Sequence, residues 1–249
     1  MENKVVLITG SSRGLGAEIA KVFARNKYNI VINYNSSENK AKKLKKDLEK
    51  YNVEIIIQKA DISNEEEVKQ MIKNTIEKFK KIDVLINNAG IAIDTIFEEK
   101  TKENFQKILD TNLIGPFLVS KYVSLEMLKQ KKGNIINITS TNGIDTYYPE
   151  GLDYDASKAG LISLTHNLAI RCAPYINVNA IASGWIETDM NKDMDNEYKK
   201  QEEEKILLKR FAHPKEIANV VYFLSTEEAK YINNEVIRVD GGTYHVWKI

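Results

Sequence analysis

Residues 5–16 read Val5-Val6-Leu7-Ile8-Thr9-Gly10-Ser11-Ser12-Arg13-Gly14-Leu15-Gly16, and this stretch decides the fold. Val5 to Thr9 has the pattern of a short buried strand ending in a glycine turn, and Ala17 to Arg25 carries helical periodicity. Strand, glycine turn and helix in that order suit a phosphate group. The glycines let the backbone turn tightly and approach an anion, and the free N–H groups at the helix start meet its charge. The spacing is Gly-x-x-x-Gly-x-Gly rather than the commoner Gly-x-Gly-x-x-Gly.

Strands and helices keep alternating downstream. Asn29 to Tyr34 reads as a strand, and Ser37 to Tyr51 as a helix with Ala41, Leu44 and Leu48 on one face. Val53 to Gln58 is a strand, Glu65 to Phe79 a helix, and Val84 to Ile86 the core of a fourth strand. Lys102 to Lys131 reads mostly as helix, Asn134 to Ile138 as strand, Tyr154 to Ala173 as helix and Asn177 to Ile181 as strand. Pro214 to Leu224 and Glu235 to Val239 supply the last helix and strand. The pattern predicts a doubly wound α/β fold: a mostly parallel seven-stranded sheet, helices on both faces, one domain over 1–249. Lys40, Lys42, Lys43, Lys45 and Lys46 read as a solvated helix face. Trp185 to Arg210 breaks the rhythm, being highly charged yet carrying Ile186, Met190, Met194, Ile206 and Leu207. It follows the carboxyl end of a strand, where ligands sit in such sheets. It is therefore expected to form a flap over a ligand site, the plainer alternative being an amphipathic surface segment.

Composition narrows the function classes. Lys plus Arg total 36 against 35 for Asp plus Glu, a net charge of +1 over 249 residues, which gives no electrostatic case for nucleic acid. Cys172 is the only cysteine, and His166, His213 and His245 have no ligand spacing, so neither a disulfide nor a metal site is expected. There is no apolar run of membrane-spanning length, and Glu2 and Lys4 leading straight into Val5 do not fit a signal peptide. A cytoplasmic protein is the expectation.

The chemistry centres on Tyr154-Asp155-Ala156-Ser157-Lys158. Residues four apart on a helix share a face. A free tyrosine titrates near ~10, and a nearby ammonium is expected to lower that value. Tuned so, Tyr154 can give a proton to a carbonyl oxygen and take it back from an alcohol. By itself this spacing is common enough to arise by chance.

With Asn87-Asn88-Ala89-Gly90 after the fourth strand, Thr111-Asn112-Leu113 and Ile138-Thr139-Ser140, nearly the whole chain resembles a classical short-chain dehydrogenase/reductase. The resemblance implies a Rossmann fold and a catalytic set of Asn112, Ser140, Tyr154 and Lys158. Ser140 would donate to the substrate oxygen, and Lys158 would also hold the nicotinamide ribose. Asn112, inside a long helix, would hold a water linking Lys158 to solvent. Without the resemblance, a local backbone hydrogen bond is the simpler reading of Ser140 and Asn112. The implied cofactor contacts are Gly10, Ser12, Arg13, Gly14, Leu15, Gly16, Asn35, Ser36, Asp61, Ile62, Asn88, Ala89, Gly90, Gly184, Ile186 and Thr188, besides Tyr154 and Lys158.

The second strand ends Ile32-Asn33-Tyr34-Asn35-Ser36 without the acid that usually reads a ribose 2′-OH, the next acid being Glu38. Arg13, Asn35 and Ser36 can meet a 2′-phosphate, so NADP(H) is expected, although Arg13 could instead be a plain surface charge. Within the family the resemblance is to 3-oxoacyl-(acyl-carrier-protein) reductases, usually homotetramers, through Asn179-Ala180-Ile181-Ala182, Ile186-Glu187-Thr188-Asp189-Met190 and Lys209-Arg210-Phe211-Ala212-His213-Pro214. Three features depart from that pattern. Ser183 stands where a proline is usual, the loop from Ile144 to Asp153 (with Tyr147, Tyr148 and Pro149) is about one residue longer, and Pro174-Tyr175 replaces a segment that often holds an arginine. Lys129, Lys131 and Lys132 are either a docking patch for the acidic carrier or a solvated helix end. Two alternatives stay open: an NADP-dependent reductase of a small ketone, sugar or polyol, and a non-catalytic dinucleotide-binding regulatory protein.

Overall fold

The computed structural model describes residues 3–145, 148–188 and 194–243. Elements follow in the order β1 (Val5–Ile8), α1 (Gly14–Arg25), β2 (Asn29–Tyr34), α2 (Glu38–Glu49), β3 (Ile55–Lys59), α3 (Glu65–Phe79) and β4 (Val84–Asn87). Then come α4 (Lys102–Leu109), α5 (Gly115–Gln130), β5 (Gly133–Ser140), α6 (Leu152–Cys172), β6 (Ile176–Ser183), α7 (Asn196–Glu204), α8 (Pro214–Leu224) and β7 (Val236–Val239). Among the described residues the strands form one seven-stranded sheet, ordered β3-β2-β1-β4-β5-β6-β7. Every neighbouring pair is parallel, so the sheet is parallel throughout rather than mostly so.

The pleat of β1 explains the two layers. Val6 and Ile8 point into a core shared with α1, α2 and α8, while Val5 and Leu7 point into a core shared with α3 and α5. Ala41, Leu44 and Leu48 are the buried face of α2, and the lysines around them face solvent, Lys45 in part. Polar side chains also cross the sheet centre. Asn87 Nδ2 donates to Asn137 Oδ1 and to Ser120 Oγ, both at 2.8 Å. Asn137 Nδ2 donates to Thr165 Oγ1 at 2.9 Å, joining β4, β5 and α6.

Two expectations change. The helix across 102–131 is interrupted by a π turn at Asp110–Ile114, and Asn112 lies inside it. Such a turn inserts one extra residue into the helix and often marks a functional position. β5 runs on to Ser140, two residues past the expected end, so Ser140 closes the strand. The sheet order reverses between β1 and β4, and the carboxyl ends there open the crevice in which such folds bind ligands. Among the described residues no helix is long and apolar enough to cross a membrane.

Candidate active site

The turn after β1 is locked from behind by two buried side chains, Thr9 and Asn33, and the half-buried Asn88. Thr9 Oγ1 accepts from the backbone N–H groups of Asn88 and Ala89, both at 3.0 Å. Asn33 Oδ1 accepts from Gly10 N at 3.0 Å, while its Nδ2 donates to Ala60 O at 3.0 Å. Asn88 Nδ2 donates to Thr9 O at 2.9 Å. Gly10 has φ +60°, and a Cβ there would lie 2.9 Å from the Ala89 backbone. The ends of β1, β2, β3 and β4 are thus drawn together around a position where a Cβ would clash.

The start of α1 is left open to an anion. Its N-cap, Arg13, makes no side-chain capping bond, and the first turn carries no acid. In α3, by contrast, Asn64 caps Glu66 N and Glu67 N, and three glutamates fill the first turn. Arg13 is exposed at the edge of the crevice. Asn35 Nδ2 donates to Asp61 Oδ2 at 3.0 Å, which brings a carboxylate beside the residues expected to meet a 2′-phosphate.

The crevice has a volume of ≈ 1650 Å³, more than one small ligand needs, so a dinucleotide and a substrate fit together. Every expected cofactor residue lines it, from Gly10 and Ser12 to Leu15, Gly16, Ser36, Ile62, Gly90, Gly184, Ile186 and Thr188. Ser140, Tyr154 and Lys158 lie on the same wall, but Asn112 does not line it. The Asn112 amide is buried and engaged. Oδ1 accepts from Ile91 N and Nδ2 donates to Ile91 O, both at 2.9 Å, and Nδ2 also donates to Ser157 Oγ at 3.2 Å. Its side chain therefore ties the segment after β4 to α6. A Cβ on Gly90 would lie 3.4 Å from Asn112 Oδ1 and 3.5 Å from Lys158 Nζ, so these groups gather around one backbone position.

Ser140 and Tyr154 line the crevice together, and the Ser140 hydroxyl pulls the Tyr154 phenol down. Lys158 Nζ lies 5.4 Å from the centre of the Tyr154 ring and donates to Ile138 O at 3.0 Å. The expected lowering of the tyrosine is not found. Burial pushes the Tyr154 phenol up to about 12, against an opposing pull from Ser140 and with a small further push from Asp155. Burial pushes the Lys158 ammonium down to about 8. Desolvation penalises each charged form, and at the bottom of this crevice it outweighs the attraction between them. At neutral pH this leaves a neutral tyrosine proton donor beside a cationic lysine.

Several residues at the site had no sequence signal of their own. Asn142 bridges Ser140 to Asp155, and Lys100 forms a buried ion pair with Asp153 at 2.8 Å. Asp155 stands inside the Tyr-x-x-x-Lys motif, and its adjacency to Tyr154 was the only cue. On the substrate side Trp185 stacks on Phe211 at 5.3 Å between ring centres and donates to Glu202 at 3.1 Å. Trp185, Met194, Tyr198 and Glu202 line the crevice, whereas Leu207 is exposed. Tyr147, Asp189, Met190 and His245 lie outside the described residues. His166 contacts Asn234 and His213 contacts Glu187, and no metal-ligating cluster occurs among the described residues.

A family profile described as enoyl-(acyl carrier protein) reductase matches residues 10–244. Curated relatives are 3-oxoacyl-(acyl-carrier-protein) reductases. That of Staphylococcus epidermidis is 40% identical over 97% of this chain and 99% of its own, and that of Synechocystis is 41% identical over 96% of each. A crystal structure of a short chain dehydrogenase from Bacillus anthracis superposes with a TM-score of 0.89 at 32% identity, covering 99% of this chain and 98% of its own. The chain belongs to the short-chain dehydrogenase/reductase family. Members are oxidoreductases that bind a nicotinamide dinucleotide, and this dehydrogenase/reductase has the cradle for one. Its α1 start is uncapped, and Gly14, at φ +57°, faces Thr188 across the crevice with nothing closer than 3.9 Å to a Cβ built on it.

Proposed function

We propose that this chain reduces a ketone to an alcohol with NADPH, and that the ketone is a 3-oxoacyl thioester on acyl carrier protein. The observation that carries the reading is the gathering of Ser140, Tyr154 and Lys158 on one crevice wall, with Lys158 beneath the tyrosine ring. A nicotinamide dinucleotide supplies hydride. The chain's own groups handle the charge and the proton. Ser140 donates to the carbonyl oxygen as negative charge develops there. Tyr154 transfers its proton to that oxygen. Lys158, while protonated, stabilises the phenolate that remains. Asn112 braces Ile91 and Ser157 behind this group. A non-catalytic binder would have no use for this set.

The cofactor assignment follows the residues that line the cradle. The uncapped turn from Gly10 to Gly16 takes the pyrophosphate, and Arg13, with Asn35 and Ser36, takes the 2′-phosphate. Asp61 and Ile62 take the adenine side. Asn88, Ala89 and Gly90 form the floor, and Gly184, Ile186 and Thr188 take the nicotinamide. The described residues 185–188 and 194–210 form the substrate flap of a single-domain, cytoplasmic homotetramer. The names of the relatives support the substrate class.

A second reading, a reductase of a small free ketone, sugar or polyol, has observations of its own. Lys129 is paired with Glu126 at 2.6 Å and Lys132 with Glu227 at 3.0 Å, which weakens the patch expected to meet an acidic carrier. Burial, with a further push from Glu202, also raises the Tyr198 phenol to about 12, so the substrate wall carries a second neutral hydroxyl. The deciding experiment follows NADPH oxidation with four substrates: a 3-oxoacyl thioester on the carrier, the same acyl group on N-acetylcysteamine, a 2-enoyl thioester, and a panel of diketones and sugars. Turnover of the first two is expected. Turnover of the enoyl thioester alone, or of the panel alone, would replace the proposal.

A further inference from the structure

Behind Ser140 runs a chain of hydrogen bonds with no assigned role. The Asn142 backbone N–H donates to Ser140 Oγ at 3.2 Å, and Ser140 Oγ donates to Asn142 Oδ1 at 3.3 Å. Asn142 Nδ2 donates to Asp155 Oδ1 at 2.7 Å. The second carboxylate oxygen, Asp155 Oδ2, accepts from Tyr148 N at 3.1 Å. An ionised carboxylate only accepts, so the amide must present its NH2 to Asp155 and its oxygen to Ser140. A hydroxyl has one proton. With that proton directed at Asn142 and the Asn142 N–H donating in return, the orientation of the Ser140 hydroxyl is set from behind.

We propose that Asp155 and Asn142 are positioning residues for the reduction, setting the direction of the Ser140 hydroxyl. The inference rests on the roles given above to Ser140 and Tyr154. The contact that parks the serine proton is long, at 3.3 Å, so rotation about one bond releases it to an arriving carbonyl oxygen. The carboxylate that orients Asn142 also holds the Tyr148 amide, so one group fixes both the Ser140 hydroxyl and the loop at the crevice mouth. Both residues line the crevice, so a kcat-against-KM split separates a positioning role from a binding one.

The test is a double-mutant cycle on the carbonyl substrate turned over in the screen above. Asn142→Ala and Asp155→Ala are made in the wild type and in a Ser140→Ala background. In the wild type each is expected to lower kcat by about fivefold to tenfold, the share of one oriented hydrogen bond, with KM and NADPH affinity within about twofold. In the Ser140→Ala background the same changes are expected to cost less than about twofold, because the hydroxyl they orient is gone. Equal losses in both backgrounds, or a loss confined to KM, would overturn the proposal while leaving Ser140 and Tyr154 in their roles. Wild-type turnover by Ser140→Ala would overturn those roles and this inference with them. If Asp155→Ala folds poorly, Asp155→Asn keeps the shape but cannot accept from both Asn142 and Tyr148, and it enters the same cycle.

Discussion

The two walls of the crevice are made of different materials. On the β1–β3 side the site is backbone, a turn whose groups are positioned by Thr9, Asn33 and Asn88. On the β5–β6 side it is side chains: Ser140, Tyr154 and Lys158, with protonation set by burial. A backbone site fails when an atom is added, because a Cβ has nowhere to go. A side-chain site fails when an atom is removed.

The sharpest test of that contrast removes one oxygen. Tyr154→Phe is expected to lower turnover by ~10²–10⁴, the usual share of acid catalysis, while NADPH affinity by fluorescence titration stays within a few-fold. Retained turnover would take Tyr154 out of the proton transfer. On the other wall Arg13→Ala is expected to weaken NADPH by ~10–100-fold, in line with one charge-assisted contact, and NADH hardly at all. Equal losses for the two cofactors would show that Arg13 does not read the phosphate.

Adding atoms probes the backbone wall. Gly14→Ala is expected to cost about 1–2 kcal/mol of stability in a urea melt, the strain of the left-handed conformation alone. Gly10→Ala is expected to cost more, since the added carbon also meets Ala89. Equal costs at the two positions would mean that the close packing of the turn is not what holds the strand ends together.

Lys158 gives a pH test with two signs. Its folded value is about 8, below the 10.5 of the unfolded chain. Between those values the unfolded state binds more protons, so this group makes stability rise with pH. Reduction should fall across the same window as the lysine loses the charge that supports Tyr154. Lys158→Met should flatten both trends. The smallest effect is expected from Lys129, Lys131 and Lys132 changed together to alanine. Carrier-substrate KM should rise only a few-fold, as exposed paired lysines contribute little, and the small thioester should be unaffected. A large rise would restore this face as the docking site.

The two walls also differ in how far the sequence reveals them. Glycine spacing after a strand marks a backbone site directly, and each cofactor residue expected from the motifs lines the crevice. Tyr154, Lys158 and Ser140 were legible as a set, but their electrostatics were not. Spacing shows that Lys158 lies near Tyr154, whereas the shift depends on burial that no local pattern encodes. Asn112 was found for its motif and given the wrong surroundings, because a π turn differs from an α-helix by one residue and leaves no compositional mark. Asn142 and Lys100 meet partners 13 and 53 residues away, and only the packed fold brings them together.

The amide pair Asn87–Asn137 has a consequence for how the two walls come to face each other. Strand pleating repeats every two residues, so β5 could slide by two past β4 and still present its isoleucines to the same cores. The slide would part the two amides and set Asn87 against Ile135 in one direction or Asn137 against Leu85 in the other, at about 1–3 kcal/mol for an orphaned group. Only one alignment lets the amides meet, the one in which Asn87 lies beside Asn137. Ser140 is three residues further along the same strand, and a two-residue slide would carry it ~6.6 Å from the level of Asn88 and Gly90. The buried amides act as a ruler, measuring out during folding how far Ser140 stands from the turn of Asn88 and Gly90.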